Sequence, residues 1–438
     1  MRSRKKHITR TRTPVNHRLR SKKSVHKRRL RGGKAFASGD GGCVFRPALK
    51  CEGETEQPMG QLSKLAFKNN SEGEWRALSF VHAAIAVATV ENRYNDVHNV
   101  TLYHSPTNYF ILPTQSCTPA LLETTDLEEF DKVCQQSLQH INSTNVNDNR
   151  KLQLGILQML DGGPTLHDRA KRRAPPIASE PFWNAMLGLL ANGIVPLNRQ
   201  SVLHHDIKFN NVVYNENDSL PYVRLIDWDR AIQLDTFENL VLVLERNHSF
   251  RSAMQQPIAY AFMCTPVCNV FNQKDQKGLE TEIKEKDEIK DEIHWELLQM
   301  ASRLHDTYET RAEKYAGCSE RPERNVYLQI GAVLDKFYDE STRKFNWRAY
   351  RSLMLANYDV YGWLALVNYC AQRYTLIFSD HELYDFYTGQ ELKRFLLKYM
   401  YSPTLLEPYN LSELSLEFNT IVISQFSRSR RMFVGPGY

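Results

Sequence analysis

Residues 203–214 read LHHDIKFNNVVY, a polar segment that ends in an apolar run. Within it, Lys208 follows Asp206 by two residues and Asn211 follows Asp206 by five. Transfer of a phosphoryl group to a hydroxyl needs a carboxylate to align the hydroxyl, a cation near the phosphate and an oxygen ligand for magnesium. The three side chains are of these types, and the apolar run predicts a strand that anchors them. The segment therefore indicates a phosphoryl-transfer site, with an ordinary polar loop as the simpler alternative.

A second carboxylate follows 21 residues after Asp206, within VRLIDWD, residues 223–229. The apolar residues before Asp227 predict a strand, and a carboxylate at a strand end is a rigid ligand for magnesium. The spacing is typical of a hairpin, which would return Asp227 to the side of Asp206. A turn-forming Asp that only caps the strand is the alternative.

The two segments resemble motifs of the protein kinases. The first is similar to the catalytic-loop pattern H-R-D-L-K-x-x-N, and the second has DWD where kinases have D-F-G. The resemblance implies ATP and Mg²⁺ as cofactors. It implies that Asp206 is the catalytic base, that Lys208 contacts the transferred phosphate, and that Asn211 and Asp227 bind the metal.

A glycine-rich segment, FASGDGGCVF, occupies residues 36–45. Glycine lets backbone amides approach phosphates closely, because no Cβ intervenes. Aligned on Val44, the segment is similar to the kinase loop G-x-G-x-x-G-x-V, with Gly39 and Gly42 at the second and third glycine positions and Ala37 at the first. The resemblance implies that this loop covers the phosphates and that Val44 packs on the adenine. A flexible linker would have a similar composition.

The alternating segment QLSKLAF, residues 61–67, predicts a strand with Lys64 at its centre. In the family, a lysine on the third strand holds the α and β phosphates, and Lys64 is the favoured candidate. Lys68 is a competitor, since alternation places it on the same face of the strand. Lys50 lies too close in sequence to the glycines.

By the same resemblance, a glutamate on the next helix pairs with this lysine. Glu74 is favoured over Glu72, and both follow Ser71, a suitable N-cap residue for a helix predicted near 71–90. The glycine segment and the QLSKLAF strand together resemble kinases of large DNA viruses.

Residues 155–166, GILQMLDGGPTL, form an apolar strand followed by a Gly-Gly-Pro break. This resembles the kinase hinge. The resemblance implies that Leu157 guards the back of the pocket and that the backbone groups of Gln158 and Leu160 bind the adenine edge. An ordinary strand and turn is the alternative.

A later segment, NYDVYG at 357–362, is similar to the D-x-W/Y-x-x-G helix start of kinases, with a shortened spacing to the glycine. Asp359 would then hold the catalytic loop by hydrogen bonds. A plain helix N-terminus is the alternative.

Departures from the kinase pattern affect the choice of substrate. His205 replaces the usual Arg, Asp229 replaces the Gly of D-F-G, and no Ala-Pro-Glu follows. A serine/threonine protein kinase with a protein substrate is the favoured function. A small-molecule kinase of the aminoglycoside or choline kinase type, which IDWDRA at 226–231 resembles, is the main alternative, although those enzymes lack the equivalent of Lys208. A catalytically inactive scaffold is the third possibility.

The order of the motifs predicts an α+β, bilobal protein-kinase-like fold with a β-rich N-lobe and a helical C-lobe. The predicted divisions are a disordered basic tail at 1–34, the N-lobe at 35–160, the C-lobe at 161–426 and a basic C-terminal tail at 427–438. Within the C-lobe, the dense Lys, Asp and Glu of 273–294 predict a solvated insertion, with an exposed charged helix as the alternative.

The composition is that of an ordinary globular protein, with 438 residues, 42% hydrophobic and 24% charged. The longest apolar stretch, Ala77 to Val90, is shorter than the roughly 20 residues that a membrane span needs, so none is expected. Eight cysteines in this length are too few for a disulfide scaffold, and we expect reduced thiols in an intracellular protein.

The charge is concentrated at the N-terminus. Residues 1–34 hold fifteen Lys and Arg and no Asp or Glu, whereas the rest of the chain has 41 basic against 50 acidic residues. So charged a segment cannot collapse onto a core. It predicts either an arm that contacts nucleic acid or an import signal, with the nucleus, a virion or a viral factory as locations. A solubilising tail and a transit peptide are the alternatives.

Overall fold

A computed structural model describes residues 33–39, 41–56, 58–94, 105–215, 222–235, 336–339, 344–379, 390–400 and 406–433. Most of the predicted basic tail (1–32), the predicted insertion (273–294) and the last residues of the chain (434–438) lie outside these ranges.

The strands in the described residues are β1 Lys34–Gly39, β2 Gly42–Arg46, β3 Gln61–Phe67, β4 Pro113–Cys117, β5 Leu154–Leu160, β6 Val202–Leu203, β7 Val212–Asn215, β8 Tyr222–Leu225, β9 Ile232–Gln233, β10 Tyr338–Asp339 and β11 Lys344–Phe345. The helices are α1 Lys68–Tyr94, α2 Phe130–Cys134, α3 Val146–Gln153, α4 Leu166–Ala170, α5 Ser179–Gly188, α6 Val195–Arg199, α7 Trp347–Gln372, α8 Tyr374–Ile377, α9 Gln390–Met400 and α10 Leu411–Phe433.

The first five strands form one antiparallel sheet in the order β1-β2-β3-β5-β4. The remaining strands form three short pairs, β6 with β9, β7 with β8, and β10 with β11. The long helices α7, α9 and α10 all lie in the C-terminal part of the chain. The α+β prediction is therefore confirmed, and a sheet-rich first part followed by a helical second part is compatible with two lobes.

Each part has its own core. In the sheet-rich part, buried side chains such as Phe45, Leu65 and Ile156 pack against Phe130. In the helical part, aromatic side chains dominate, with Trp183 and Trp363 fully buried. The alternating apolar residues of the strands thus face the core of the sheet-rich part, and the apolar faces of the helices pack together in the helical part.

The helix α1 contacts both parts of the molecule. It begins at Lys68 directly after β3 ends at Phe67, with no connecting loop. This differs from the predicted start after Ser71, whose hydroxyl instead donates to the Lys68 carbonyl at 3.0 Å. The first turn of α1 presses on β5, since a Cβ added at Gly155 would lie 2.2 Å from Ser71 Oγ. Farther along, Val81 joins the core of the helical part.

Two disulfides cross-link the sheet-rich part. Cys43 of β2 is bonded to Cys134 of α2, and Cys51 is bonded to Cys117 at the end of β4. The expectation of reduced thiols is wrong for these four residues, because the sheet brings together cysteines that are 91 and 66 residues apart in the sequence. Cys370 in α7 is a free, buried thiol.

No helix within the described residues combines the length and the apolar character that crossing a bilayer requires.

Candidate functional site

The segment Leu203–Tyr214, here called the Asp206 loop, runs from β6 through a turn at Phe209–Asn211 into β7. The Asp206 side chain is 2% exposed. Its Oδ2 accepts hydrogen bonds from Lys208 Nζ at 2.5 Å and Asn211 Nδ2 at 2.8 Å. Asn211 Nδ2 also donates to the Asp206 backbone carbonyl at 3.0 Å. The three residues predicted from their spacing thus contact one another.

The main chain of the Asp206 loop is anchored by Asp359 of α7. The Asp359 carboxylate accepts hydrogen bonds from the backbone N–H groups of His204 at 2.7 Å and His205 at 3.0 Å. The contact predicted for Asp359 is therefore present. It supports an unusual backbone, since His205 has a φ of +64°. Burial raises the pKa of Asp359 to about 7, although the two N–H donors oppose this shift.

Asp227 is presented to the Asp206 loop by strand β8. The Ile226 N–H donates to the Asn211 carbonyl at 3.0 Å, which places the residues after β8 beside the loop. Asp227 adopts a φ of +68°, and the following Trp228 is fully buried. The indole Nε1 of Trp228 donates to the Ile111 carbonyl at 3.1 Å. Trp228 therefore fixes the turn that directs the carboxylate of Asp227 into the site.

Lys64 on strand β3 contacts the carboxylates of Glu74 and Asp227. Its Nζ contacts Glu74 Oε2 at 2.9 Å and Asp227 Oδ1 at 2.7 Å. Burial alone would lower the pKa of Lys64, but the two carboxylates outweigh it and raise the pKa well above its usual range. The attraction of Lys64 likewise outweighs burial at Asp227 and lowers the pKa of that carboxyl. Within this triad, Lys64 and Asp227 therefore form a charged pair, whereas burial raises the pKa of Glu74 despite the attraction of Lys64.

Lys68 and Glu72 lie away from this triad. Lys68 is the first residue of α1 and not a strand residue, so the prediction that it shares a face with Lys64 is wrong. It is exposed and lies 4.0 Å from the exposed Glu72. The Lys50 side chain is also remote from the triad and forms an ion pair with Glu123.

The glycine-rich segment forms the hairpin between β1 and β2, with Gly39 opposite Gly42. Gly42 has a φ of +150°, and a Cβ there would lie 2.6 Å from the Leu65 carbonyl. Val44 pairs with Lys64 and so shares its face of the sheet. The glycine nearest the triad is Gly41, which the motif alignment did not single out. A Cβ at Gly41 would lie 2.7 Å from Lys64 Nζ.

The backbone of β5 can be oriented from its register. Leu160 lies opposite Gln61, and the neighbouring Asp161 N–H donates to Gly60 O at 3.0 Å. Because hydrogen-bonded and non-hydrogen-bonded pairs alternate, the backbone groups of Leu160 point away from β3. Leu157 pairs with Lys64 and is fully buried.

The backbone groups of Gln158 point to the same side as those of Leu160. The Gln158 carbonyl accepts from Thr114 Oγ1 at 3.2 Å. The Gln158 side chain lies on the sheet face opposite Lys64, where its Nε2 donates to the Leu49 carbonyl at 2.9 Å. A ligand that approaches β5 from this side would therefore meet the Gln158 carbonyl, which already accepts a hydrogen bond from Thr114.

A third carboxylate, Asp229, lies with Asp206 and Asp227. One oxygen from each of the three lies within 4.8 Å of the others. Burial and the nearby Asp227 raise the pKa of Asp229 to about 7. In the sequence, Asp229 stands out only as a departure from D-F-G; the spacing D-x-D at a strand end is the signal that indicates a further carboxylate at the site. Carboxylate and amide oxygens are suitable ligands for Mg²⁺, and Asn211 and Asp227 are among those present.

Comparisons with known proteins give no family. No protein-family model matches the chain, and a search of curated proteins finds no match. The function must therefore be argued from the site itself.

Proposed function

We propose that the chain is an ATP- and Mg²⁺-dependent protein kinase that transfers the γ-phosphoryl group to serine or threonine hydroxyls. One observation carries the proposal. The strand–helix unit of Lys64 and Glu74, the Asp206 loop and the turn at Asp227 converge on one site. Lys64 contacts Glu74 and Asp227, Asn211 contacts Asp206, and one oxygen of Asp206 lies within 4.8 Å of one oxygen of Asp227. The order of β3, α1, the Asp206 loop and the Asp227 strand also supports a protein-kinase-like fold with an N-lobe and a C-lobe.

In this proposal, Asp206 orients the acceptor hydroxyl and takes its proton. Its Oδ2 is held by Lys208 and Asn211, whereas its Oδ1 is buried and has no hydrogen-bond partner within the described residues. The second oxygen is thus available to a substrate hydroxyl. Asp206 is a base that is fixed before the substrate arrives, which is the condition for efficient proton transfer.

Lys64 and Lys208 supply positive charge for the phosphates. Glu74 and Asp227 hold Lys64 in a defined position, and Asp206 holds Lys208. Mg²⁺ would be held by Asn211 and Asp227, and it offsets charge on the β and γ phosphates when bound.

The hairpin between β1 and β2 would cover the triphosphate, and Val44 would contact the adenine from above. The adenine edge would meet the backbone groups of Gln158 and Leu160, which point away from β3. Gln158 pairs with Gln115 of β4 on that side, and Leu160 lies beyond the residues paired with β4. Leu157 would close the back of the pocket.

The experiment is a phosphoryl-transfer assay with labelled ATP and Mg²⁺, with casein or histone as acceptor and with no added acceptor. We expect label on protein, and we expect Asp206→Asn to reduce the rate by about 10²- to 10⁴-fold because the base is lost. Asp227→Ala should abolish turnover, because the phosphates lose their neutralising ion. Lys151→Met, in an exposed ion pair with Glu52, is the matched control and should leave the rate unchanged.

Other results would point to the other functions. Label on aminoglycosides or choline, with none on protein, would replace the protein-kinase proposal with a small-molecule kinase. ATP binding without turnover, unaffected by Asp206→Asn, would indicate a non-catalytic scaffold.

A further inference from the structure

Among the described residues, two lysines form ion pairs within the cluster of three carboxylates. Lys64 lies against Asp227, and Lys208 lies against Asp206. Among the described residues, Asp229 has no Lys, Arg or His within ion-pair distance. Its Oδ1 is buried and has no hydrogen-bond partner there either.

A second observation comes from Asp206, whose side chain is 2% exposed. In the absence of substrate, its Oδ1 is also buried without a donor in the described part of the chain. Two of the three carboxylates in the cluster, from different segments, thus each have one buried oxygen without a hydrogen-bond donor. Leaving these oxygens without a partner is costly, so a ligand group is expected at each: the substrate hydroxyl at Asp206 and a cation at Asp229.

The tip of the β1–β2 hairpin closes the cluster from the sheet side. A Cβ at Gly41 would lie 3.2 Å from Asp229 Oδ2, so the tip of the hairpin lies directly against this carboxylate. Asp229 therefore lies between the hairpin and the Asp206 loop, where it is only partly exposed.

We propose that Asp229 is a ligand for a divalent cation, so that the site binds Mg²⁺ or Mn²⁺ before any nucleotide is present. Mg²⁺ sites with one or two carboxylates usually depend on substrate phosphates for further ligands. A third carboxylate in the same volume removes this dependence, since affinity for hard cations rises with the number of charged oxygen ligands. The inference rests on the proposed function only for the role of the bound ion in phosphoryl transfer.

The test measures Mn²⁺ binding by electron paramagnetic resonance on the full chain without nucleotide. We expect the wild-type protein to bind Mn²⁺, and Asp229→Asn to weaken that binding by about tenfold or more. Asp148→Asn is the matched control, because Asp148 is an exposed Asp on α3 outside the cluster, and it should leave the binding unchanged. Circular dichroism verifies that each variant is folded.

Either of two results would overturn the inference: no Mn²⁺ binding by the nucleotide-free wild-type protein, or equal binding by wild type and Asp229→Asn. The measurement on the wild-type protein needs no variant, so an absence of Mn²⁺ binding there overturns the inference even if Asp229→Asn does not fold. The phosphoryl-transfer assay on the same samples separates the two proposals. Asp229-dependent Mn²⁺ binding without phosphoryl transfer would exclude the proposed function and support the cation site. Phosphoryl transfer without Asp229-dependent Mn²⁺ binding would support the proposed function and exclude the cation site.

Discussion

Removing the disulfide between Cys43 and Cys134 should lower the free energy of unfolding of the sheet-rich part, by an amount that follows from the length of chain that the disulfide closes. The perturbation is the double substitution Cys43→Ala and Cys134→Ala, which leaves the Cys51–Cys117 bridge in place. The two bridges are nested, because the 66-residue separation lies inside the 91-residue separation. With the inner bridge closed, the outer bridge restricts only the remaining 25 residues of chain.

Loop-closure entropy for a loop of that length corresponds to about 3.5 kcal/mol at 25 °C. The inner bridge, which closes 66 residues, corresponds to about 4.3 kcal/mol on the same relation. Reduction of both should therefore remove about 8 kcal/mol from the free energy of unfolding. That is comparable to the whole stability of many domains, so the reduced protein is expected to lose the sheet-rich part first.

The assay is urea unfolding followed by circular dichroism, with and without a thiol reductant, and with mass spectrometry to count the bridges. We expect the double variant to unfold at lower urea than wild type, and the reductant to lower the midpoint of both. Reduced wild type and reduced double variant should then unfold at similar urea concentrations. An unchanged midpoint for wild type in reductant, with both bridges shown to be open, would refute the reasoning.

Three further predictions concern the site and the tail. Lys64→Met should reduce phosphoryl transfer by about a hundredfold, whereas Lys68→Met should not; a loss with Lys68→Met alone would reassign the phosphate lysine. Asp359→Ala leaves two buried N–H groups without their acceptor, which should lower the free energy of unfolding by about 1–3 kcal/mol per group and slow transfer, with Asp359→Asn less severe in both assays. Removal of residues 1–34 should weaken binding to DNA and flatten its salt dependence; equal affinity and equal localisation after removal would contradict a nucleic-acid arm.

The predictions that succeeded rest on short-range patterns. The contacts within the Asp206 loop could be predicted because residues two and five positions apart can meet when the chain makes a tight turn. Strand alternation placed Lys64 on one face of β3 for a similar reason. The approach of Asp227 to Asp206 needed only a hairpin, which the apolar runs on both sides of a polar break indicate.

Long-range pairing and element boundaries could not be predicted in this way. Cys43 and Cys134 meet only because α2 packs on the sheet, and nothing local to either residue encodes that contact. The start of α1 was misplaced because Ser71 resembles an N-cap, whereas the chain enters the helix at Lys68 without a turn residue. That single difference moved Lys68 from the strand to the protein surface.

The direct junction of β3 and α1 has a mechanical consequence. Lys64 and Glu74 belong to one uninterrupted strand–helix unit, whose helical end is also pressed against β5 at Gly155. Because no loop separates the strand from the helix, an outward rotation of α1 would disturb the pairing of β3 with its neighbouring strands. We therefore expect the contact between Lys64 and Glu74 to be retained when other parts of the chain rearrange, so that the strand–helix unit behaves as one rigid element.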